Sequence, residues 1–215
     1  MRDPLPVVLT REALAARPRS VLNEGGSGNP DVLLVEGERP GDPPVVVKDY
    51  APRAAWVRRF LAPLLLRREA RAYRRLEGVP AVPRLLGCVD ELALVLEYRP
   101  GQLLSRSLRG RLPEAFLPEL ESAIAEMHRR GVVHLDLRHR SNVLAGEDGH
   151  PVLIDFASAL RFDASKPWGR AACSALGRFD RRALEKWRVR LIPIPENADQ
   201  SVGSSAGSRG ESRPM

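Results

Sequence analysis

The segment from His134 to Asp155 constrains the fold of this chain more than any other part of the sequence. Two short apolar runs, Val132-Val133 and Val152-Leu153-Ile154, have the length and composition of buried strands. Each run leads into an aspartate, Asp136 after the first run and Asp155 after the second. The pattern therefore predicts two carboxylates held on rigid supports.

An amide and a turn lie between these two aspartates. Asn142 precedes the apolar pair Val143-Leu144, and the turn from Gly146 to Gly149 is predicted to fold the second strand back on the first. A base, an amide and a second acid then share one cleft. Such a set suits phosphoryl transfer, in which one carboxylate orients the attacking hydroxyl while an amide and another carboxylate hold the magnesium that neutralises the phosphates.

The stretch resembles the catalytic loop and the metal-binding loop of protein-kinase-like phosphotransferases, whose patterns are H-R-D-L-x-x-x-N and D-F-G. The matching residues are His134, Asp136, Leu137, Asn142, Asp155 and Phe156. The resemblance implies an α+β, two-lobed protein-kinase-like fold with a small β-rich N-lobe and a reduced helical C-lobe. It also implies ATP and Mg²⁺ as cofactors, with Asp136 orienting the hydroxyl and with Asn142 and Asp155 as the metal ligands.

The chain departs from the kinase pattern at two positions. Asn142 lies six residues after Asp136 instead of five, so the loop carries one extra residue, and Ser141 occupies the usual spacing. Ala157 replaces the glycine of D-F-G, which removes some backbone freedom. Arg138, where a protein kinase often has lysine, is the second catalytic candidate, because it could supply positive charge to the transferring phosphate.

A glycine-rich turn precedes the first clear strands of the chain. Gly25, Gly26 and Gly28 lie between the apolar runs Val21-Leu22 and Val32–Val35, and glycine lets backbone amides approach phosphate oxygens closely. The resemblance places the phosphate-binding loop here. The spacing is not a clean G-x-G-x-x-G, so a plain flexible hairpin is the alternative.

A lysine and a glutamate form the next pair of candidates. Lys48 follows three valines and resembles the strand lysine that contacts the α and β phosphates in kinases. The region Arg53 to Glu77 is helical in character, with Pro63 as a break, and Glu69 lies inside its apolar stripe. The kinase resemblance explains that placement by pairing Glu69 with Lys48. The alternative is that Lys48 ends an edge strand in solvent.

The remaining elements complete two lobes. The strand Leu92–Tyr98 leads into a linker that matches the kinase hinge, so Glu97 and Tyr98 are candidates for contacting adenine. Residues Leu5 to Ala16 are predicted to add a strand and a short helix to the first lobe, and Pro118 to Arg130 a helix in the second. A last amphipathic helix is predicted from Leu176, Phe179, Ala183 and Trp187.

These elements predict an N-terminal extension (1–19), a kinase-like N-lobe (20–98), a reduced C-lobe (99–195) and a Ser/Gly/Arg-rich disordered tail (196–215). Too few residues follow Ala157 for the helices that bind peptides in full eukaryotic protein kinases. The resemblance therefore points to a minimal type, similar to RIO kinases and to bacterial lipopolysaccharide-core sugar kinases.

Charge and composition narrow the classes of partner that the sequence predicts. The net charge of +7 could indicate nucleic acid, but the excess is arginine spread along the chain, which does not favour specific nucleic-acid binding. Cys88 and Cys173 have no metal spacing and are expected to be reduced, buried thiols. The N-terminus lacks the apolar core of a signal peptide and no run reaches membrane-span length, so we expect a cytoplasmic protein.

One basic, amphipathic stretch leaves a membrane contact open. Trp56, Phe60 and Leu64 recur at four-residue spacing beside arginines, a pattern that fits peripheral binding at the inner face of a membrane. The alternative is an extra helical turn that packs on the small lobe.

The sequence thus predicts an ATP-dependent kinase that transfers the γ-phosphoryl group to a hydroxyl, either of protein Ser/Thr or of a lipopolysaccharide sugar. Two alternatives remain: a catalytically weak pseudokinase that binds nucleotide, and an RNA- or ribosome-associated module suggested by the charge.

Overall fold

The structure, a computed structural model, describes residues 9–139 and 142–191 of the 215-residue chain. The N-terminal lobe contains the strands β1 (Arg19–Asn23), β2 (Asp31–Val35), β3 (Val45–Asp49), β4 (Leu85–Asp90) and β5 (Ala93–Glu97). They form one antiparallel sheet in the order β1-β2-β3-β5-β4. The strands flanking the glycine-rich turn, which the sequence predicted, are β1 and β2.

The central strand β3 carries successive residues to opposite faces of the sheet. On the outer face, Val45 and Val47 share a core cluster with helix α1 (Arg11–Ala16), which confirms the predicted short helix. On the inner face, Val46 and Lys48 lie toward helix α2 (Ala62–Arg75). The part of the predicted segment Leu5 to Ala16 that precedes Leu9, where its strand was expected, lies outside the described residues.

Helix α2 is entered through a π-helical turn, Val57–Leu61, without interruption. The expectation that Pro63 breaks this helix is wrong. Its ring lies directly after a π-helical turn, in which the Ala62 N–H bonds to the Val57 C=O. The wider turn leaves room for a ring that would clash in a regular α-helix.

The second lobe is mainly helical. Its elements are β6 (Gly101–Leu103), α3 (Phe116–Arg129), β7 (Val132–Val133), β8 (Val143–Gly146), β9 (Pro151–Leu153), β10 (Leu160–Arg161) and α4 (Pro167–Leu191). Strands β6, β8 and β9 form one small sheet, and β7 and β10 form a two-stranded ladder. The molecule therefore has the α+β, two-lobed kinase-like fold that the sequence predicted.

Strand pairing in this lobe differs from the expectation in one respect. The turn Gly146 to Gly149 folds β9 back on β8, with Val143 opposite Leu153, and not on β7. Strand β7 instead pairs with β10. The turn is only long enough for a hairpin between the strands that flank it, so the more distant β7 takes its partner from the segment after Phe156.

Helix α4 buries a different face from the one expected. Ala183 and Trp187 are buried as predicted, but Phe179 is 37% exposed and the next residue, Asp180, is fully buried. The small residues Cys173 and Gly177 bring α4 close to its neighbours. The buried face of α4 therefore includes an acid and several small residues, which a pattern of large apolar side chains does not indicate.

The other structural expectations have mixed outcomes. Cys88 and Cys173 are both free, but only Cys173 is buried, because Cys88 lies on the edge strand β4. In the ranges 9–139 and 142–191, no helix has both the length and the apolar character needed to span a membrane. Ser141 and the tail predicted to be disordered (196–215) lie outside the described residues.

Candidate active site

Three charged side chains from three separate elements meet at the inner face of the N-lobe sheet. The Nζ of Lys48 on β3 lies 2.7 Å from Oε1 of Glu69 on α2. The same Nζ lies 2.8 Å from Oδ1 of Asp155, which follows β9. The side chains of Lys48 and Glu69 are 7% and 3% exposed, so the alternative of a solvent-facing lysine is excluded.

The electrostatics of this trio favour the charged forms of Lys48 and Asp155. Burial acts to lower the pKa of Lys48, but the carboxylates of Glu69 and Asp155 outweigh burial and raise it. Burial acts to raise the pKa of Asp155, but the adjacent Lys48 ammonium lowers it below the usual aspartate value. A fixed positive charge therefore lies beside a carboxylate that stays ionised.

Asp155 is presented by an unusual backbone conformation. Its φ of 63° places it in the left-handed region, and a short 3₁₀ turn, Phe156–Ser158, follows directly. Ala157 lies within that turn, whose backbone any residue can adopt, so this conformation needs no glycine there. The backbone N–H of Asp155 donates to the hydroxyl of Tyr73 on α2 at 3.3 Å.

The ring of Phe156 packs the loop that carries Asp155 against the rest of the site. It is fully buried, 5.0 Å from the Tyr73 ring in an edge-on arrangement and 4.7 Å from the His134 ring. The Nε2 of His134 bonds to the backbone oxygen of Ile154 at 3.0 Å. Burial lowers the pKa of His134, which keeps the imidazole neutral in this apolar stack.

Asp136 and Asn142 are brought together despite the extra residue between them. The Nδ2 of Asn142 donates to the backbone oxygen of Asp136 at 2.8 Å and to its Oδ2 at 3.0 Å. The backbone oxygen of Asn142 accepts from the N–H of Ile154 at 3.1 Å, one residue before Asp155. Asn142 therefore links the two aspartates at a spacing of six.

The loop that carries Asp136 is anchored by Asp180, which was not among the residues predicted from the sequence. Its buried carboxylate accepts the backbone N–H groups of His134 and Leu135, each at 2.9 Å, and bonds to Nε2 of His128 at 2.9 Å. Leu135 has a φ of 69°, a strained conformation for a branched side chain that these bonds help to hold. The indole of Trp187 also donates to the Leu137 backbone oxygen at 3.2 Å.

One signal could have identified Asp180. Like Glu69, it is a carboxylate within the buried face of a helix, here between Gly177 and Ala183 at three-residue spacing. The pattern that singles out Glu69 in the sequence therefore also fits Asp180.

The glycine-rich turn is braced by side chains. The N–H of Gly25 donates to Oδ1 of Asp31 at 2.9 Å, its oxygen accepts from Arg53 at 2.8 Å, and Arg53 also pairs with Asp31. The Gly25 amide is thus already engaged. A Cβ on Gly26 or on Gly28 would meet no atom within 4 Å, so the open side of the turn lies at these two residues.

The remaining candidates lie at the edges of the cleft. Arg138 is exposed, two residues beyond Asp136. Glu97 uses its backbone N–H and its carboxylate to bond Arg84, and the carboxylate also lies 3.6 Å from Arg99. Tyr98 is half-buried at the junction of the lobes.

The side chains suit a magnesium ion only as part of a nucleotide complex. Among the described residues, no group of three or more histidine, cysteine, aspartate and glutamate side chains could hold a metal. Asp155 carries a carboxylate on a side chain that is 46% exposed, and Asn142 carries an amide on a buried side chain. Two such ligands fit Mg²⁺, which takes its other ligands from phosphates and water.

No family model matches this chain, but individual proteins do. The human Citron Rho-interacting kinase is 35% identical over 97 residues, which is 40% of this chain and 5% of that protein. CBL-interacting protein kinase 12 of Oryza sativa is 33% identical over 112 residues, 49% of this chain and 21% of that protein. The probable SapB synthase of Streptomyces coelicolor is 34% identical over 119 residues, 46% of this chain and 13% of that protein.

These matches support a kinase-like relationship and a kinase-like function in general. The chain spans only 5% to 21% of the length of these relatives. Two of the three are named as kinases, and none of the three names supports the RIO or sugar-kinase type that the sequence suggested.

Proposed function

We propose that the protein is an ATP-dependent phosphotransferase that moves the γ-phosphoryl group of ATP to a hydroxyl. The observation that carries the proposal is the buried Lys48 ammonium, held 2.7 Å from Glu69 and 2.8 Å from Asp155. Burying a lysine costs desolvation free energy that pairing with two carboxylates offsets only in part, so a buried trio of this kind is weak evidence for stability and points to a functional role. A fixed cation beside an ionised, partly open carboxylate is suited to a nucleotide phosphate and its metal.

Different groups of the cleft would bind different parts of magnesium-ATP. Lys48, oriented by Glu69, would contact the α and β phosphates, and the amides of Gly26 and Gly28 would cover them. The backbone near Glu97 and Tyr98 would contact adenine. Asp155 and Asn142 would hold Mg²⁺, which supplies charge neutralisation at the phosphates.

The transfer step needs a group that handles the acceptor hydroxyl. Asp136 would accept a hydrogen bond from this hydroxyl, align its oxygen with the γ-phosphorus and take its proton. As the new P–O bond forms, the bond from the γ-phosphorus to the β,γ-bridging oxygen breaks and ADP leaves. Asn142 fixes the Asp136 carboxylate through its 3.0 Å hydrogen bond. Arg138, exposed at the mouth of the loop, would balance charge on the transferring group.

The acceptor is proposed to be either a protein serine or threonine or a lipopolysaccharide sugar. The kinase names of the relatives favour a protein acceptor.

The proposal is tested by incubating the purified chain with a lysate and ATP labelled at the γ-phosphate. Label should appear in protein or in lipid-linked sugar, and digestion with a protease separates these two results. Asp136→Asn should lower the transfer by about 10² to 10⁴-fold while magnesium-ATP still raises its melting temperature. Glu147→Gln, an exposed carboxylate on the β8–β9 turn, is the matched control and should transfer at the normal rate.

The second candidate is a pseudokinase that binds nucleotide without transfer. The engaged Gly25 amide favours it, because fewer backbone donors remain in the turn for phosphate. Thermal stabilisation by magnesium-ATP with no labelled product from any fraction would select this function over transfer.

A further inference from the structure

The helical segment that carries Glu69 also presents three large apolar side chains to solvent. Trp56 is 59% exposed, Phe60 69% and Leu64 66%. The four-residue spacing, carried through the π-helical turn, aligns them as a ridge on one side of the helix. We call these three side chains the exposed ridge. The opposite side of the segment is buried in the core through Val57, Ala62 and Leu66.

The helical segment that carries the exposed ridge is strongly basic, and the nearby acids Asp90 and Glu91 at the end of β4 line a hollow beside Arg67 and Arg71. Between Pro52 and Leu76 the sequence has eight arginines and one glutamate, so this segment carries +7, the same as the whole chain. Arginines occur all along the chain, but their excess over acids lies in this segment. The single acid, Glu69, is buried and paired with Lys48.

Four exposed arginines beside the exposed ridge lack an ion pair with any carboxylate in the described part of the chain. Arg58, Arg59, Arg67 and Arg71 are exposed, and none of them forms an ion pair within residues 9–139 and 142–191. The Arg59 guanidinium lies 5.9 Å from the centre of the Phe60 ring. Arg67 and Arg71 follow Leu64 by three and seven residues, which continues the same face along α2.

We propose that the exposed ridge docks the protein on an anionic phospholipid bilayer. Trp56, Phe60 and Leu64 would enter the interfacial region, where tryptophan is favoured, while the neighbouring arginines contact lipid phosphates. A convex helical ridge with aromatic tips suits a soft bilayer better than the groove of an acidic protein. This inference uses residues that the proposed phosphoryl transfer does not use.

The geometry leaves the active site free when the ridge is docked. Glu69 follows Leu64 by five residues, which places the two side chains about 140° apart around the helix axis. The cleft would therefore face away from the bilayer surface or along it.

The test measures binding of the full chain to vesicles by co-sedimentation. We expect binding to vesicles with about 30% phosphatidylserine, little binding to phosphatidylcholine alone, and a loss of binding between about 0.05 and 0.5 M salt. Equal binding to both vesicle types, or no binding to either type, would overturn the proposal.

Two variants separate the apolar and basic contributions. Trp56→Ser with Phe60→Ser and Leu64→Ser should weaken binding more than about tenfold. Arg58→Gln with Arg67→Gln should weaken it by about fivefold per arginine. These positions are exposed, so folding should survive. The matched controls on α4, Trp168→Ser (64% exposed) for the apolar set and Arg178→Gln with Arg182→Gln for the basic set, should bind normally.

A second readout identifies which side chain meets the lipid. Brominated lipids should quench tryptophan fluorescence in the normal protein and in Trp168→Phe, but not in Trp56→Phe. Quenching that persists in Trp56→Phe would overturn the assignment, as would normal binding by the triple ridge variant. Binding to polyglutamate through the same residues, without binding to vesicles, would replace the bilayer by an acidic protein as the partner.

Discussion

The two halves of the proposed cleft are held together in different ways. In the N-lobe half, Lys48 and Glu69 meet directly, side chain to side chain, on a strand and a helix. In the C-lobe half, Asp136 lies on a loop whose backbone is held by the remote carboxylate of Asp180 and by the amide of Asn142. One half is a buried ion pair, and the other is a braced loop.

This difference means that nucleotide binding through Lys48 and phosphoryl transfer through Asp136 should respond differently to mutation. Regular elements define where the Lys48 ammonium lies, so its position should depend on the packing of α2 against the sheet. The position of Asp136 depends instead on hydrogen bonds to loop amides, two of them at or next to a left-handed residue. Damage to each half should therefore give a different pattern of stability, nucleotide binding and turnover.

The largest effect is expected when the ion pair is broken. Lys48→Met leaves Glu69 buried without its cation, so the free energy of unfolding should fall by about 3 to 5 kcal/mol. Urea denaturation measures this loss. Lys166→Met, at an exposed lysine, is the control and should change stability by less than about 0.5 kcal/mol.

A double variant sharpens this prediction. Adding Glu69→Leu to Lys48→Met removes the unpaired charge, so most of the lost stability should return while magnesium-ATP binding stays absent. A double variant as unstable as the single one would show that packing around the pair, and not the buried charge, causes the loss.

A smaller effect is expected when the loop anchor is weakened. Asp180→Asn removes the charge that accepts the His134 and Leu135 amides, and should lower the free energy of unfolding by about 2 to 3 kcal/mol. Turnover should fall while stabilisation by magnesium-ATP persists, because the Lys48–Glu69 pair is untouched. Glu185→Gln on the same helix is the control, and equal losses of binding and turnover in Asp180→Asn would contradict the division between the halves.

The next largest loss of stability is expected when the side-chain amide of Asn142 is removed. Asn142→Ala removes two hydrogen bonds to Asp136 and should cost about 1 to 2 kcal/mol of unfolding free energy. Its distinguishing readout is the magnesium concentration for half-maximal turnover, which should rise if Asn142 also holds the metal. An unchanged magnesium dependence would restrict Asn142 to positioning Asp136.

The smallest effect concerns pH. Burial lowers the pKa of His134, so the unfolded chain binds a proton below about pH 6.5 that the folded chain does not. Unfolding free energy should therefore fall as the pH drops from about 7 to about 5.5, by at most about 1.4 kcal/mol per pH unit.

His134→Gln should remove this slope. A hydrogen bond and the charge of Glu119 raise the pKa of the exposed His150, which gives a slope of opposite sign. The contribution of His150 is the same in the unmodified protein and in His134→Gln. The difference between their two curves of unfolding free energy against pH therefore reports on His134 alone. Parallel pH curves for normal protein and variant would contradict the prediction.

The sequence predicted the parts of the fold and site that follow from periodicity. The valine run before Lys48 defined β3, and a carboxylate in an apolar stripe picked out Glu69, because both signals are local. The pairing of β7 with β10 and the anchoring of two loop amides by Asp180 are not local, since the partners lie more than twenty residues apart. The break predicted at Pro63 was wrong for a local reason. The residues around Pro63 do not indicate the π-helical turn that makes room for its ring.

The outer face of the sheet has a consequence for the lysine on the inner face. Arg11 of α1 pairs with Asp49 at 2.7 Å and with Asp90 at 2.7 Å, so it clasps β3 and the edge strand β4 together. Asp49 is the immediate neighbour of Lys48, and the pleat directs the two side chains to opposite sides. A rotation of β3 about its axis would therefore disturb the ion pairs of Arg11 on the outer face and those of Lys48 on the inner face together. A force that displaces α1 would in this way also move the Lys48 ammonium group.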